Sequence, residues 1–308
     1  MEEHIKFAEE GRSLQQQGVS SSGKSPYSLL PIGLFDSGVG GLTVLAAMRA
    51  LMPDESYLFL GDTARLPYGT KSPETIVRYA LQATARLVER RIKLLVVACN
   101  TATSAALPAL RAAYPRLHVV GVVEPGAEAA CAASASGRIA VIATEATIRG
   151  GAYERAILRR RPGARVQSRA CPLFVSMTED GLVDGPLAEG LAARYLDDIF
   201  RGPRERGEET PDCLVLGCTH FPLLAGAVAK VVGQGVTLVD SAATTARVVK
   251  RILAEERLER PAGATAGVPL CAGSTRFLTT DDVPRFTRMG ELFLGMPLTP
   301  CSVELVDL

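Results

Sequence analysis

The sequence predicts an α/β protein of two similar open, mostly parallel sheets, related by pseudo-symmetry, with the functional cleft between them. Three observations predict it. From Pro31 onward, short continuous runs of Val, Leu and Ile alternate with helix-like segments, as buried parallel strands alternate with covering helices. The length, 308 residues, suits about two domains of ordinary size. One unit also recurs: LVVACNT (95–101) and LVLGCTH (214–220) are apolar strands ending in Cys and a polar pair, each ahead of an Ala- and Leu-rich stretch.

Residues 1–28 contain a glutamine triplet and a serine triplet, cannot bury much, and are expected to form a flexible extension. The strands expected after it are Ile32–Phe35, Tyr57–Leu60, Leu94–Cys99, Val119–Val123, Ile139–Ala143, Leu214–Cys218 and Val236–Val239. Their apolarity is continuous rather than alternating, so both faces of each sheet are covered. A helix over Leu42–Leu51 follows the glycine-rich turn after the first strand. Ser72 as N-cap and Pro73 at the first helical position open another, in which Ile76, Ala80, Ala83 and Leu87 recur at spacings of three and four. The charged stretch RGPRERGEETPD (201–212) carries Gly and Pro and is expected as a surface loop.

Composition narrows the function. With 34 Lys and Arg against 33 Asp and Glu, the net charge of +1 lacks the basic footprint of a nucleic-acid binder. A composition 47% hydrophobic and 22% charged supports a sizeable core. No apolar run reaches the ~18 residues of a membrane helix, and the polar start lacks the pattern of a signal peptide. Seven cysteines form an odd set without a C-x-x-C pair. A reduced, cytoplasmic protein is expected.

Asp36-Ser37-Gly38-Val39-Gly40-Gly41 follows a strand and opens a helix, where exposed N–H groups can hold an anion. The dinucleotide fingerprint fails, because Thr43 stands where its third glycine belongs. Glycine spacing alone favours a ligand-free turn; Asp36, a carboxylate at the tip of a buried strand, shifts the balance toward function. Cys99 and Cys218 are the central pair. Each alone reads as a small buried hydrophobe, but the repeat places them on opposite walls of one cleft. A disulfide is disfavoured in a reducing compartment, and a zinc site needs more ligands than Cys99, Cys218 and His220. A Cys–His hydrolase leaves one thiol idle. Inversion of a carbon centre uses both: one thiolate takes an α-proton from one face while the other thiol delivers a proton to the opposite face.

A free thiol, with a pKa of about 8.5, is only a few per cent ionised near neutrality, so each thiol needs a neighbour. Asp36 can serve beside Cys99 and His220 beside Cys218; His4 and His118 read as ordinary. Pro67-Tyr68-Gly69 is a turn able to offer backbone donors. Asn100, Thr101 and Thr219, and likewise Thr144 and Thr147, stand at helix starts where N-capping competes with ligand binding. Glu179 on these grounds is surface charge.

FDSGVGGLTV (35–44), Pro67-Tyr68-Gly69, ACNTA (98–102) and LGCTHFPLL (216–224), with LVDS (238–241) in support, together resemble the glutamate racemase family over about residues 31 to 295. The resemblance implies cofactor-independent interconversion of L- and D-glutamate for peptidoglycan. It implies two domains, 29–122 with 240–308 and 123–239, and dimers. By motif position, Cys99 and Cys218 resemble the catalytic thiols, Asp36 and His220 the assisting groups, and Glu179 the carboxylate near the histidine. Asp36, Ser37, Tyr68, Gly69, Asn100, Thr101, Thr219 and His220 resemble substrate contacts; Thr144 and Thr147 join them, although ATEAT (143–147) departs from the usual glycine-threonine pattern. The alternatives are a racemase of another acid such as aspartate, a decarboxylase using one thiol, or an amino-acid-binding regulator without turnover.

Overall fold

The computed structural model describes residues 26–261, 270–271, 273–298 and 300–308. All strand pairs are parallel. The first sheet draws on β1 (Ile32–Asp36), β2 (Tyr57–Gly61), β3 (Leu94–Val97), β4 (His118–Gly121), β9 (Thr275–Thr279) and β10 (Val303–Leu305), in the order β10-β9-β2-β1-β3-β4. The second contains β5 (Arg138–Ala143), β6 (Arg165–Ala170), β7 (Cys213–Gly217) and β8 (Thr237–Val239), in the order β6-β5-β7-β8. The run β2-β1-β3-β4 thus has the same connectivity as β6-β5-β7-β8. That makes β1 equivalent to β5 and β3 to β7, and it puts Cys99 and Cys218 at matching places.

Register aligns the functional edge. Asp36 lies opposite Gly61 and Phe35 opposite Val97, so Asp36, Asp62 and Cys99 emerge together from the first sheet. Ala143 lies opposite Gly217, so Thr144 and Cys218 emerge together from the second. Both sheets are covered on both faces. Ile32 and Leu34 pack with α1 (Leu42–Leu51), α11 (Ala242–Glu255) and α12 (Val283–Leu294), while Phe35 packs with α2 (Pro73–Glu89) and α3 (Asn100–Ala113). Each such fully buried side chain contributes about 1.5–3 kcal/mol. In α2, Ser72 accepts from the Thr75 amide, Pro73 takes the first turn, and Ile76, Ala80, Ala83 and Leu87 are buried, as their spacing predicts.

The chain passes from the first sheet to the second after β4, where α4 (Val123–Ala133) packs on Ile139 and Val141 of β5. It returns after β8 through α11, which packs on α1. At the amino edges, away from the cleft, Lys93 is buried and donates to Glu55 at 2.5 Å and to the carbonyls of Ser28 and Leu258.

Several expectations need correction. Most of the expected extension, 1–25, lies outside the described residues, but Tyr27 packs on the core and Ser28 is buried, so the extension does not reach residue 28. The Val119–Val123 strand ends at Gly121, because Val123 already starts α4; the apolar run continues only because the helix start is buried too. The strand expected to reach Cys99 ends at Val97 and that expected to reach Cys218 ends at Gly217, leaving both thiols in the turns beyond. The expected loop over 201–212 begins with a short helix, α9 (Arg201–Glu205), in which Pro203 falls within the first turn and Arg201 pairs with Glu205 one turn later. No helix among the described residues is long and apolar enough to cross a membrane.

Candidate active site

The first wall grows from the carboxyl ends of β1, β2 and β3. Asp36, the last residue of β1, is fully buried; its Oδ2 accepts from the Gly38 amide at 3.0 Å, while Oδ1 has no partner. Burial raises its pKa, against the opposing pull of the His220 charge and nearby backbone amides. The glycines of this turn serve close packing. A Cβ on Gly41 would lie 2.7 Å from the Asp36 Cβ, and one on Gly40 would lie 2.6 Å from Nδ1 of His220. The opposite wall therefore rests directly on the glycine turn.

Cys99 is the N-cap of α3: its sulfur accepts from the Ala102 amide, and its thiol donates to the Ser37 hydroxyl, both at 3.4 Å. Burial pushes the thiol up to about 12, the Asp36 charge adds to this, and the Ser37 and Ala102 contacts work against it. Cys99 is accordingly a protonated thiol. Charge on Cys218 also acts on it, so the two sulfurs share one electrostatic environment. Tyr68 turns its hydroxyl onto the buried Asp62, which also accepts from Arg65 and Thr280. Only the backbone of Tyr68 and Gly69 is left to face a ligand, and Gly69 lies so close to Thr144 that a Cβ would come within 2.7 Å of it.

The second wall follows β7. Cys218 and His220 Nδ1 are 3.8 Å apart, and His220 Nε2 lies 3.2 Å from Oε1 of Glu179, the last residue of α7 (Leu173–Glu179). Burial alone would depress the histidine. Its contacts with Cys218 and Glu179 and the charges of Cys218 and Asp36 outweigh burial and push it up to about 10. The imidazolium is therefore the resting form beside Cys218. The second oxygen of Glu179 meets Arg285 of α12 at 3.5 Å, and the ring of Phe293 on the same helix packs edge to face with the imidazole, centroids 5.0 Å apart.

The walls are joined directly. Thr101 of the first and Thr144 and Thr147 of the second form a closed triangle of buried hydroxyls at 2.8, 3.1 and 2.9 Å. Thr144 also caps α5 (Glu145–Gly150), and Thr43 reaches the Thr219 carbonyl at 3.5 Å. With Cys99 at 5% and Cys218 at 6% exposure, the cleft is closed in this conformation.

A profile of the family described as Asp/Glu/Hydantoin racemase matches residues 42–249. The chain belongs to this family. Among relatives of this racemase-family chain, the glutamate racemase of Geobacter metallireducens is 49% identical over 264 residues, covering 86% of this chain and 92% of that one. The crystal structure of glutamate racemase from Francisella tularensis in complex with D-glutamate superposes with a TM-score of 0.79 at 32% identity, covering 91% of this chain and 98% of that one. That from Thermus thermophilus in complex with β-chloro-D-alanine gives 0.76 at 41%, with coverages of 91% and 98%.

In this member of the racemase family, Asp36, Ser37, Tyr68, Gly69, Cys99, Asn100, Thr101, Thr144, Thr147, Glu179, Cys218, Thr219 and His220 all lie at the facing carboxyl edges of the two sheets or on the segments packed there. Sequence reasoning missed Asp62, Tyr153, Arg285 and Phe293. Asp62 follows β2 as Asp36 ends β1, so the strand-tip rule that singled out Asp36 applied equally to it. The other three sit inside helices, where only tertiary contact reveals them. A separate surface cavity of about 480 Å³, lined by Arg111, His118, Glu124, Arg160 and Arg251 among others, contains neither thiol.

Proposed function

We propose that the protein is a glutamate racemase that interconverts L- and D-glutamate by two-base proton transfer, with Cys99 and Cys218 as the bases. The observation that carries the reading is that two buried thiols, at equivalent places in two copies of one fold unit, meet in one cleft with different acid–base neighbours. In one direction the Cys218 thiolate, steadied by the His220 imidazolium, takes the α-proton from one face of the bound amino acid. The C–H pair becomes a carbanion, and the Cys99 thiol gives its proton to the opposite face, leaving a Cys99 thiolate and a Cys218 thiol. The reverse reaction exchanges the roles. Asp36, whose pKa is raised by burial, takes the proton that Cys99 must release.

Removing a proton next to a carboxylate builds negative charge, which needs preorganised donors in a water-poor site. The amides beyond Asp36, Cys99 and Cys218, together with Asn100 and Thr219, supply them; Thr101, Thr144 and Thr147 join when a substrate carboxylate opens their hydroxyl triangle, and no cofactor enters the scheme. Residues 29–122 with 240–308 move as one body against 123–239 to admit the substrate. The product D-glutamate supplies peptidoglycan synthesis in the cytoplasm. The protein works as a homodimer, for which exposed Leu173, Leu182 and Leu187 offer an apolar surface.

Circular dichroism of purified protein with L-glutamate or L-aspartate, without pyridoxal phosphate, tests the reading. Loss of optical activity with glutamate and not aspartate is expected; racemisation of aspartate alone would transfer the activity to that acid, and binding without turnover would leave a regulator.

A further inference from the structure

Tyr153, on α6 (Ala152–Arg160), is 3% exposed and crosses from the second wall to the first, donating from its hydroxyl to Oδ1 of Asn100 at 2.6 Å. We infer that Tyr153 is a positioning residue that fixes the Asn100 amide with its NH2 group presented to a substrate carboxylate. The inference rests on the proposed racemase reading, in which Asn100 contacts substrate.

Three observations carry it. An asparagine amide has an acceptor end and a donor end that exchange by a half-turn, and only the donor end suits a carboxylate. The Tyr153 bond occupies the acceptor end, and Nδ2 is buried with no partner. Leaving such a donor unpaired costs about 1–3 kcal/mol, which a ligand that accepts from it would recover.

The direction of the bond is itself set by the surroundings. The Ser241 side chain stands beside the phenol, its Cβ and the Tyr153 hydroxyl flanking the same point at Gly126, and it pulls the phenol pKa down against burial; Oδ1 of Asn100 can only accept, so the proton of the Tyr153 hydroxyl goes to it. Burial raises the phenol pKa, which keeps that proton in place across the working range.

The ring, finally, is held by two glycines. A Cβ on Gly126 would stand 3.0 Å from the Tyr153 hydroxyl, and one on Gly217 would stand 3.0 Å from its Cε2. Gly126 lies just after the chain leaves the first sheet, Ser241 just before it returns, and Gly217 directly before Cys218. Tyr153 thus ties both crossings between the sheets to the residue after Cys99, and the donor is oriented only when the walls are together.

The test compares Tyr153→Phe, Asn100→Ala and the double variant in steady-state racemisation. Phe keeps the ring and removes only the hydroxyl. The expected result is a KM raised about tenfold in Tyr153→Phe with kcat little changed, since a contact made equally in ground and transition state acts on KM. The double variant should be no worse than Asn100→Ala. Gly126→Ala, which crowds the same hydroxyl without touching the ring's own chemistry, should raise KM in the same way and serves if Tyr153→Phe folds poorly. An unchanged KM in Tyr153→Phe beside a raised KM in Asn100→Ala overturns the inference and spares the racemase reading. Equal losses from Tyr153→Phe with and without Asn100 overturn it too. A normal KM in Asn100→Ala removes both Asn100 as a substrate contact and the role assigned to Tyr153.

Discussion

Cys99 and Cys218 occupy the same place in two copies of one strand-to-turn unit, yet Cys99 caps a long helix beside Ser37 and Asp36, while Cys218 stands 3.8 Å from His220. The Cys99 side carries a buried carboxylate, which discourages a thiolate. The Cys218 side carries an imidazolium backed by Glu179, which welcomes one. Duplicated topology thus supplies two opposed faces, and local chemistry gives each sulfur its own acid–base partner. In the proposed mechanism this makes the enzyme ready for one direction and in need of proton transfer through Asp36 for the other.

Alanine at either cysteine breaks the comparison outright. Each variant should lose about a thousandfold or more in racemisation, because removal of a positioned base or acid costs about 10²–10⁴ in rate. Near-normal activity in either one, followed by loss of optical rotation, would strike that wall from the mechanism.

His220→Asn sharpens the asymmetry, with an expected loss of about a hundredfold in kcat/KM. Enantiomers have equal free energy, so kcat/KM must fall equally from L- and from D-glutamate; kcat and KM taken singly need not. A larger change in kcat from one enantiomer is the expected mark of a one-sided helper. With the histidine held at about 10 against an ordinary 6.5, wild-type activity should fall as pH rises through about 10, and the variant should lack that limb. The same shift has a stability consequence. A raised pKa contributes stability in full below about 6.5 and loses it as pH rises to about 10. The Tm advantage of wild type over His220→Asn should shrink across that window.

Arg285→Gln probes the far end of the same relay. The guanidinium is half-exposed, and such pairs contribute about 0–1 kcal/mol, so the expected loss in kcat is at most about fivefold. No change in either kcat or pH profile would show that Glu179 holds His220 unaided.

How much of this was legible beforehand differed by element. The interior strands β1, β2 and β7 announce themselves as continuous apolar runs because both their faces are covered. The strand β6, RVQSRA, is hidden because it is an exposed edge with polar side chains, and β9 and β10 come from a C-terminal segment without a long apolar run. Asp36, Cys99, Cys218 and His220 were readable because strand tips and a two-residue spacing place them. Glu179 became readable only through family likeness, since it lies 41 residues from the histidine it holds. Gly40 and Gly41 were visible as a turn, but the reason for them, contact with His220 and Asp36, belongs to the folded cleft.

The claim that two different groups serve the two faces is tested most directly by running the reaction in D2O and analysing both enantiomers at early conversion. The account predicts that the newly formed enantiomer carries deuterium at Cα while the remaining starting enantiomer keeps its hydrogen, because the base that removes a proton is not the acid that delivers one. Deuterium appearing equally fast in both pools, or hydrogen carried over into the product, would mean that a single base serves both faces and would contradict the mechanism.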